Sequence, residues 1–194
     1  MSLLLQSDLS SANSSKAISL LTSDMEDSKK LSDSIEDFIN SSTEVLKGAS
    51  FDTVRSHMQK YVDALSKRVK TAESLINAIK AANDSMTSYM DGEPKLDSSE
   101  LETLQSQVNS YRSKAQGYLS RIDNYDSEKE TMSKNALYEA YYAARDEQRK
   151  REKIIKLING LEAQDSATFA TLSSVSDEIS QFSNDVGGIN SINV

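Results

Sequence analysis

Two acidic clusters, Asp24/Glu26/Asp27 and Asp33/Glu36/Asp37, bring carboxylates close enough together for paired acid–base work. Such work needs one carboxyl with a raised pKa, and burial in a pocket is what raises it. Both clusters fall on crowded polar helix positions with nothing beside them that builds a pocket, so they read as solvated surface. The chain has one His, His57, and no Cys. That removes thiolate chemistry, disulfides and Cys-ligated zinc, and leaves no His pair for a metal and no Ser–His–Asp arrangement. His57 lies one turn after Val54, at the edge of an apolar seam, and reads as structural or exposed. No catalytic, cofactor-binding or metal-ligating residue is assigned. The chain reads as non-enzymatic and free of cofactors.

Recognition chemistry is better represented. Tyr142 and Asp146 lie four residues apart, one above the other on a helix, where a receptor can read an aromatic ring with a carboxylate. Tyr138, Tyr141 and Tyr142 beside Arg145 have the composition of interface anchors, although a helix–helix core uses the same spacing. The basic run Arg149, Lys150, Arg151, Lys153 and Lys156 is interleaved with Asp146, Glu147 and Glu152. Pairs at i,i+4 make it a solvated helix face. With 22 basic against 30 acidic residues and a net charge of −8, the chain has no excess positive charge to displace counterions from phosphates. Nucleic acid is excluded as a partner.

The elements that carry these residues are helices. Only six Gly and one Pro serve 194 residues, too few turn formers for a many-stranded sheet. Leu101, Leu104, Val108, Tyr111, Ala115, Tyr118, Ile122 and Tyr125 alternate steps of three and four, a heptad seam for helix-on-helix packing. Val54, Met58, Tyr61, Leu65, Val69, Ala72, Ile76 and Ile79 continue to Met86 and Met90 after a skipped layer at Asn83. Val62, Leu75, Ala82 and Tyr89 widen that stripe. A thinner series, Leu21, Met25, Leu31, Ile35, Phe38, Ser42 and Val45, marks the first helix. The last third runs through Leu137, Tyr141, Ala144, Ile154, Ile155, Ile158 and Leu161 to Phe169, Leu172, Val175, Ile179 and Phe182, with Asn159-Gly160 as a kink or a tolerated Gly.

Punctuation sets the boundaries. Gly48 is a natural left-handed residue after the first helix, and Ser50 a natural N-cap for the next. Asp91-Gly92-Glu93-Pro94 is a turn. Asp97 to Glu100, Ser99 to Glu102 and Ser127 to Glu130 offer capping boxes. The expected fold is all-α, an elongated rod of long antiparallel helical hairpins, 1–91 and 96–186, with 187–194 a linker or frayed tail. A helix from Ser50 to Met90 is about 60 Å long at 1.5 Å per residue. No apolar stretch is long enough to span a membrane, so no stable insertion is expected. The start, Met1 to Gln6, lacks the basic region and apolar length of a secretory signal peptide.

The run Leu46-Lys47-Gly48-Ala49-Ser50-Phe51-Asp52, between one long Ser/Asp-rich amphipathic helix and another, resembles the LXG family. These are the N-terminal domains of polymorphic toxins exported by type VII secretion in Gram-positive bacteria. The run is also similar to the small Trp-x-Gly secreted helical hairpins, with Leu in place of Trp. Leu46, Gly48, Phe51 and Asp52 carry the resemblance. It implies a secretion-targeting and partner-binding domain made in the cytoplasm and exported without a signal peptide. That domain would deliver a C-terminal toxin, not present in these 194 residues, for interbacterial competition. The implied partners are the type VII machinery and small helical, chaperone-like proteins. The same relatives use a Tyr-x-x-x-Asp export signal, which Tyr142 and Asp146 fit.

The wide stripe on the second helix points the same way, because one hairpin cannot cover both sides of it. Partners are expected at Leu31, Ile35, Phe38, Val54, Met58, Tyr61, Leu65, Val69, Ile76 and Ile79 of the hairpin 1–91. Burial of the stripe by residues 96–186, or by homodimerisation, is the alternative at that surface. For the whole chain the alternative is an extracellular coiled-coil structural or interaction protein, or a helical component of a pore toxin.

Overall fold

A computed structural model describes residues 3–180 and Asn184 of the chain. The elements run β1 (Leu4–Gln6), α1 (Ser7–Val45), α2 (Ala49–Met90), β2 (Lys95–Asp97), a short 3-10 turn (Ser98–Glu100), α3 (Leu101–Asp123), α4 (Lys134–Asn159) and α5 (Leu161–Ser173). Among the described residues the fold is all-α apart from one small ladder. They divide into two compact units: residues 3–7 with Ser88–Asp165, and Asp8–Thr87 with the described residues from Ser166 on. Gly187 and Gly188 of the expected tail lie outside the described residues, as does Phe182.

In the unit that holds most of α1 and α2, these helices form an antiparallel hairpin. Ser10 Oγ lies 3.9 Å from the Met86 sulfur, Asp24 pairs with Arg68, and the Ser42 carbonyl accepts from Arg55 at 3.3 Å. The inner face of α1 is Leu21, Met25, Ser28, Ser32, Ile35, Ile39, Ser42 and Leu46, all buried or half-buried at steps of three and four. The inner face of α2 is Met58, Val62, Leu65, Val69, Ala72, Ile76, Ile79, Asn83 and Met86. Asn83 fills the layer that the apolar pattern skips, and its side-chain oxygen is buried without a hydrogen-bond partner among the described residues. This corrects five seam positions. Leu31, Phe38, Val45, Val54 and Tyr61 are 53%, 43%, 79%, 43% and 44% exposed, and Ser32, Ile39, Leu46, Arg55 and Val62 turn inward in their place. A second row on α2, Ala64, Ala78 and Ala82, is also buried. The width of the α2 stripe, expected to stay open for partners, is therefore covered within the chain.

The other unit is built on α3 and α4, an antiparallel hairpin in which Arg151 donates to Gln107 at 2.8 Å and Arg112 reaches Glu152 at 3.4 Å. Every member of the α3 seam from Leu101 to Tyr125 is buried or half-buried, as its spacing predicts. The facing seam passes through the charged run. Gln148 is buried, donates to Glu152 at 2.7 Å and accepts from Arg145 at 3.1 Å. The Arg151 guanidinium lies over the Tyr111 ring, 4.5 Å from its centre. The run is thus only partly a solvated face.

Small features of this unit also depart from the sequence reading. β1 and β2 pair antiparallel, Leu5 opposite Leu96, and Leu96 is fully buried. Leu3 and Ser98 extend the ladder, Leu3 N–H donating to Ser98 Oγ at 2.9 Å and Ser98 N–H to the Leu3 carbonyl at 3.0 Å. Three-residue strands carry too little alternation to be seen in sequence. Asp97 caps the 3-10 turn through Ser99 N–H, but Glu100 pairs with Lys95 instead of closing a box. Ser133, not Ser127, caps α4. Gly160 separates α4 from α5, and a Cβ there would overlap the Tyr89 hydroxyl, which donates to the Leu157 carbonyl.

Glu130 forks onto Arg121 across the connection between α3 and α4, with Arg121 Nε 2.9 Å from Oε2, and Glu130 also accepts from Thr131 N–H at 2.9 Å. The Arg121 hydrogen bonds, with help from the backbone N–H groups, lower the Glu130 pKa from its ordinary 4.5 to about 2. A depressed carboxyl contributes stability that is fully present above the unfolded pKa and is lost as pH falls through the folded one. Melting temperature should therefore drop between about pH 4.5 and pH 2. In Glu130→Gln, circular-dichroism melts should show a shallower drop from a lower starting value. An unchanged slope would show that the fork does not form.

Candidate partner-binding surface

The turn between α1 and α2 is built around Gly48, whose φ of +119° suits only a residue without a Cβ. No atom lies within 4 Å of where a Cβ would sit, so backbone strain alone selects glycine. The Gly48 carbonyl accepts from Phe51 N–H at 3.0 Å and Asp52 N–H at 3.1 Å, which starts α2 at Ala49. Ser50 is inside the helix and is not the cap.

Arg55, which the sequence reading did not single out, closes the other side of the turn. Its guanidinium donates at 2.9 Å to the Leu46 carbonyl, which the end of α1 leaves without a helical partner, and at 3.3 Å to the Ser42 carbonyl, which also accepts from Leu46 N–H at 2.9 Å. Asp52 holds Arg55 from one turn earlier. The signal was present as Asp52-x-x-Arg55, an i,i+3 pair, but its purpose depends on the hairpin. Leu46 is half-buried on the inner face of α1, while Phe51 and Asp52 are exposed.

The structure separates the expected interface residues into two sets. Ile76 is buried, and Ile35, Met58, Leu65, Val69 and Ile79 are half-buried, all on the inner faces of the hairpin. Leu31, Phe38, Val54 and Tyr61 are exposed. Leu31, Phe38 and Val45 recur every seven residues, about 60° round α1 from the inward-facing Ser28, Ile35 and Ser42. Phe51 and Val54 follow just across the turn. Much of the open apolar surface of the hairpin thus lies toward its closed end, while Leu20, 65% exposed, lies farther back along α1.

Tyr142 and Asp146 share a face of α4, as their spacing predicts. Tyr142 is 64% exposed, stacked on Tyr138 with ring centres 6.5 Å apart and edge-on to Tyr141 at 5.2 Å. Asp146 pairs with Lys150 at 2.8 Å. His57 is half-buried on α2. An open cleft near the end of α3 is lined by Ser120, Arg121, Asn124, Asp126, Lys129 and Glu130, and its charges are engaged with one another as Arg121–Glu130 and Lys129–Asp126. Among the described residues no helix is long and apolar enough to cross a membrane. No family model, curated protein or solved structure matches the chain.

Gly48→Val should cost about 1–2 kcal/mol through its backbone conformation alone. Arg55→Ala, which strips a largely buried guanidinium from two carbonyls, should cost about 1–3 kcal/mol. Asp52→Ala removes only an exposed partner and should cost less than about 1 kcal/mol. Urea unfolding of the three variants checks this order. An Arg55→Ala variant as stable as the parent would remove the guanidinium from the account of the turn.

Proposed function

We propose that the chain is the partner-binding and export-targeting domain of an LXG-type toxin carried by type VII secretion. Its hairpin takes small helical partner proteins that accompany it to the export machinery. The observation that carries this reading is the open apolar row Leu31, Phe38 and Val45 beside a Leu-x-Gly turn built as such a hairpin requires. Full burial of an exposed Phe or Leu contributes about 1.5–3 kcal/mol and burial of the open part of Leu31 and Phe38 a share of it, so a row of them at heptad spacing suits another helix. A partner laid along this row also meets Phe51 and Val54 at the turn. The exposed Tyr142, with Asp146 one turn on, supplies the aromatic and carboxylate of an export signal.

Co-expression with small helical proteins encoded beside it, followed by size exclusion with light scattering, tests the reading. A stable hetero-complex is expected, lost in Leu31→Asp and Phe38→Asp because a carboxylate at a desolvated seam is costly. Both positions are exposed in the chain alone, so the variants should keep the parent's helix content. Export of the chain should stop in a strain lacking the type VII ATPase. A chain that elutes apart from every such neighbour and is exported without the ATPase would overturn the proposal.

A further inference from the structure

Two ion pairs between α1 and α2 fix the sides of their hairpin. Asp24 and Lys29 are about 140° apart round α1, and their partners Arg68 and Glu73 are equally far apart round α2. The Asp24–Arg68 pair therefore spans one side of the hairpin and Lys29–Glu73 the other. Heptad steps keep to one side of a packed helix. From Asp24 they lead to Leu31, Phe38 and Val45, and from Arg68 to Tyr61 and Val54. The open row of α1 and two exposed residues of α2 are thus the walls of one groove, running from the Asp24–Arg68 pair toward the Gly48 turn. From Leu31 to Val45 it is about 21 Å long, or two heptads.

The rim of this groove is uncharged. Ser34 and Ser41 flank the α1 wall, their hydroxyls donating back to the Lys30 and Phe38 carbonyls at 2.9 Å and 3.3 Å. Ser50 and His57 flank the α2 wall. The acids Asp33, Asp37 and Glu44 lie about 100° or more round α1 from the open row, and Lys60 about 100° round α2 from Tyr61. An anionic lipid surface or a nucleic acid therefore finds no cation along these walls.

A second copy fits both the chemistry and the size. The five wall residues, each 43–79% exposed, leave on the order of 500 Å² of apolar surface open per copy. Homodimer interfaces are about 65% apolar, so such a core implies about 800 Å² per partner, the size of a stable contact. Packed on itself, the groove opposes no like charges, and two antiparallel hairpins laid side to side make a four-helix bundle.

We propose that this groove is a homodimer interface, filled by the same groove of a second copy of the chain about a two-fold axis. The dimer covers the row to which the proposed function assigns helical partners, so a partner helix has to displace the second copy. That consequence rests on the partner-binding reading. The contact itself does not, and its test uses the chain alone.

Sedimentation equilibrium of the full chain reads the contact. At about 50 μM, above the micromolar limit for interfaces of this size, the mass should be twice 21.4 kDa. It should stay there between about 0.05 M and 0.5 M salt, because no charge pair crosses the contact. Phe38→Asp on one wall and Tyr61→Asp on the other should each weaken dimerisation about tenfold or more, with helix content unchanged. Asp37→Lys/Glu44→Lys, on another side of α1, should leave the dimer intact. A single-chain mass at that concentration, a dimer that dissociates at high salt, or one that survives either Asp variant would overturn the proposal. Binding to phosphatidylserine vesicles that is lost in Tyr61→Asp would also overturn it, by assigning the groove to a lipid surface. A single chain that still forms a hetero-complex lost in Phe38→Asp would remove the dimer and keep the partner reading. A dimer that no neighbouring protein displaces would keep the contact and remove the partner reading.

Discussion

α1 approaches α2 on a face in which serine takes three of the eight inward positions. Ser28 and Ser42 are buried where a heptad seam ordinarily places leucine, and Ser32 is half-buried between them. The Ser42 hydroxyl is satisfied within its own helix, donating to the Ile39 carbonyl at 3.1 Å. Small side chains let helices approach closely, and a hydroxyl bonded back to its own helix strands no donor. They contribute little apolar burial, however. The larger residues that would have supplied it, Leu31, Phe38 and Val45, sit about 60° away and are exposed.

That arrangement makes α1 the weakly held member of its hairpin. A helix rich in Ser and Asp has low intrinsic propensity and depends on packing for its order. Here the packing is helped by surface pairs, Asp24–Arg68 and Lys29–Glu73, each worth roughly 0–1 kcal/mol. Arg55 adds a stronger tie, but only at the closed end. The α3–α4 hairpin is held differently, by an uninterrupted apolar seam on α3 and a buried Gln148 that joins Arg145 and Glu152. A weakly packed α1 and a well-packed α3–α4 hairpin are what the proposed partner binding calls for, because ligand-responsive elements come from the low-stability end of a structure.

Much of this was legible in the residues. The α3 seam is unambiguous because no competing apolar residue lies one step to either side of most of its members. On α1 and α2 two adjacent rows compete, and choosing the larger apolar residue picks Phe38 over Ile39 and Tyr61 over Val62. Packing preferred the row whose neighbours are small enough for close approach, a criterion that depends on the facing helix. The Gly48 turn was readable from glycine alone, whereas the role of Arg55 depends on carbonyls brought back by the hairpin. Gln148 was hidden in a charged run whose period matches both a surface face and a seam. The β1–β2 ladder joins residues more than ninety positions apart, as in Leu5 with Leu96, and three-residue strands leave no periodic trace.

Because the chain contains no Cys, single cysteines placed along α1 report its faces without background. The rate at which each reacts with a small thiol reagent in the folded, monomeric chain measures exposure directly. Leu31→Cys and Phe38→Cys should react close to the rate of the unfolded chain, and Ser28→Cys and Ser42→Cys many-fold more slowly. Fast reaction at 28 and 42 with protection at 31 and 38 would contradict the serine-lined seam and the open apolar row that follows from it.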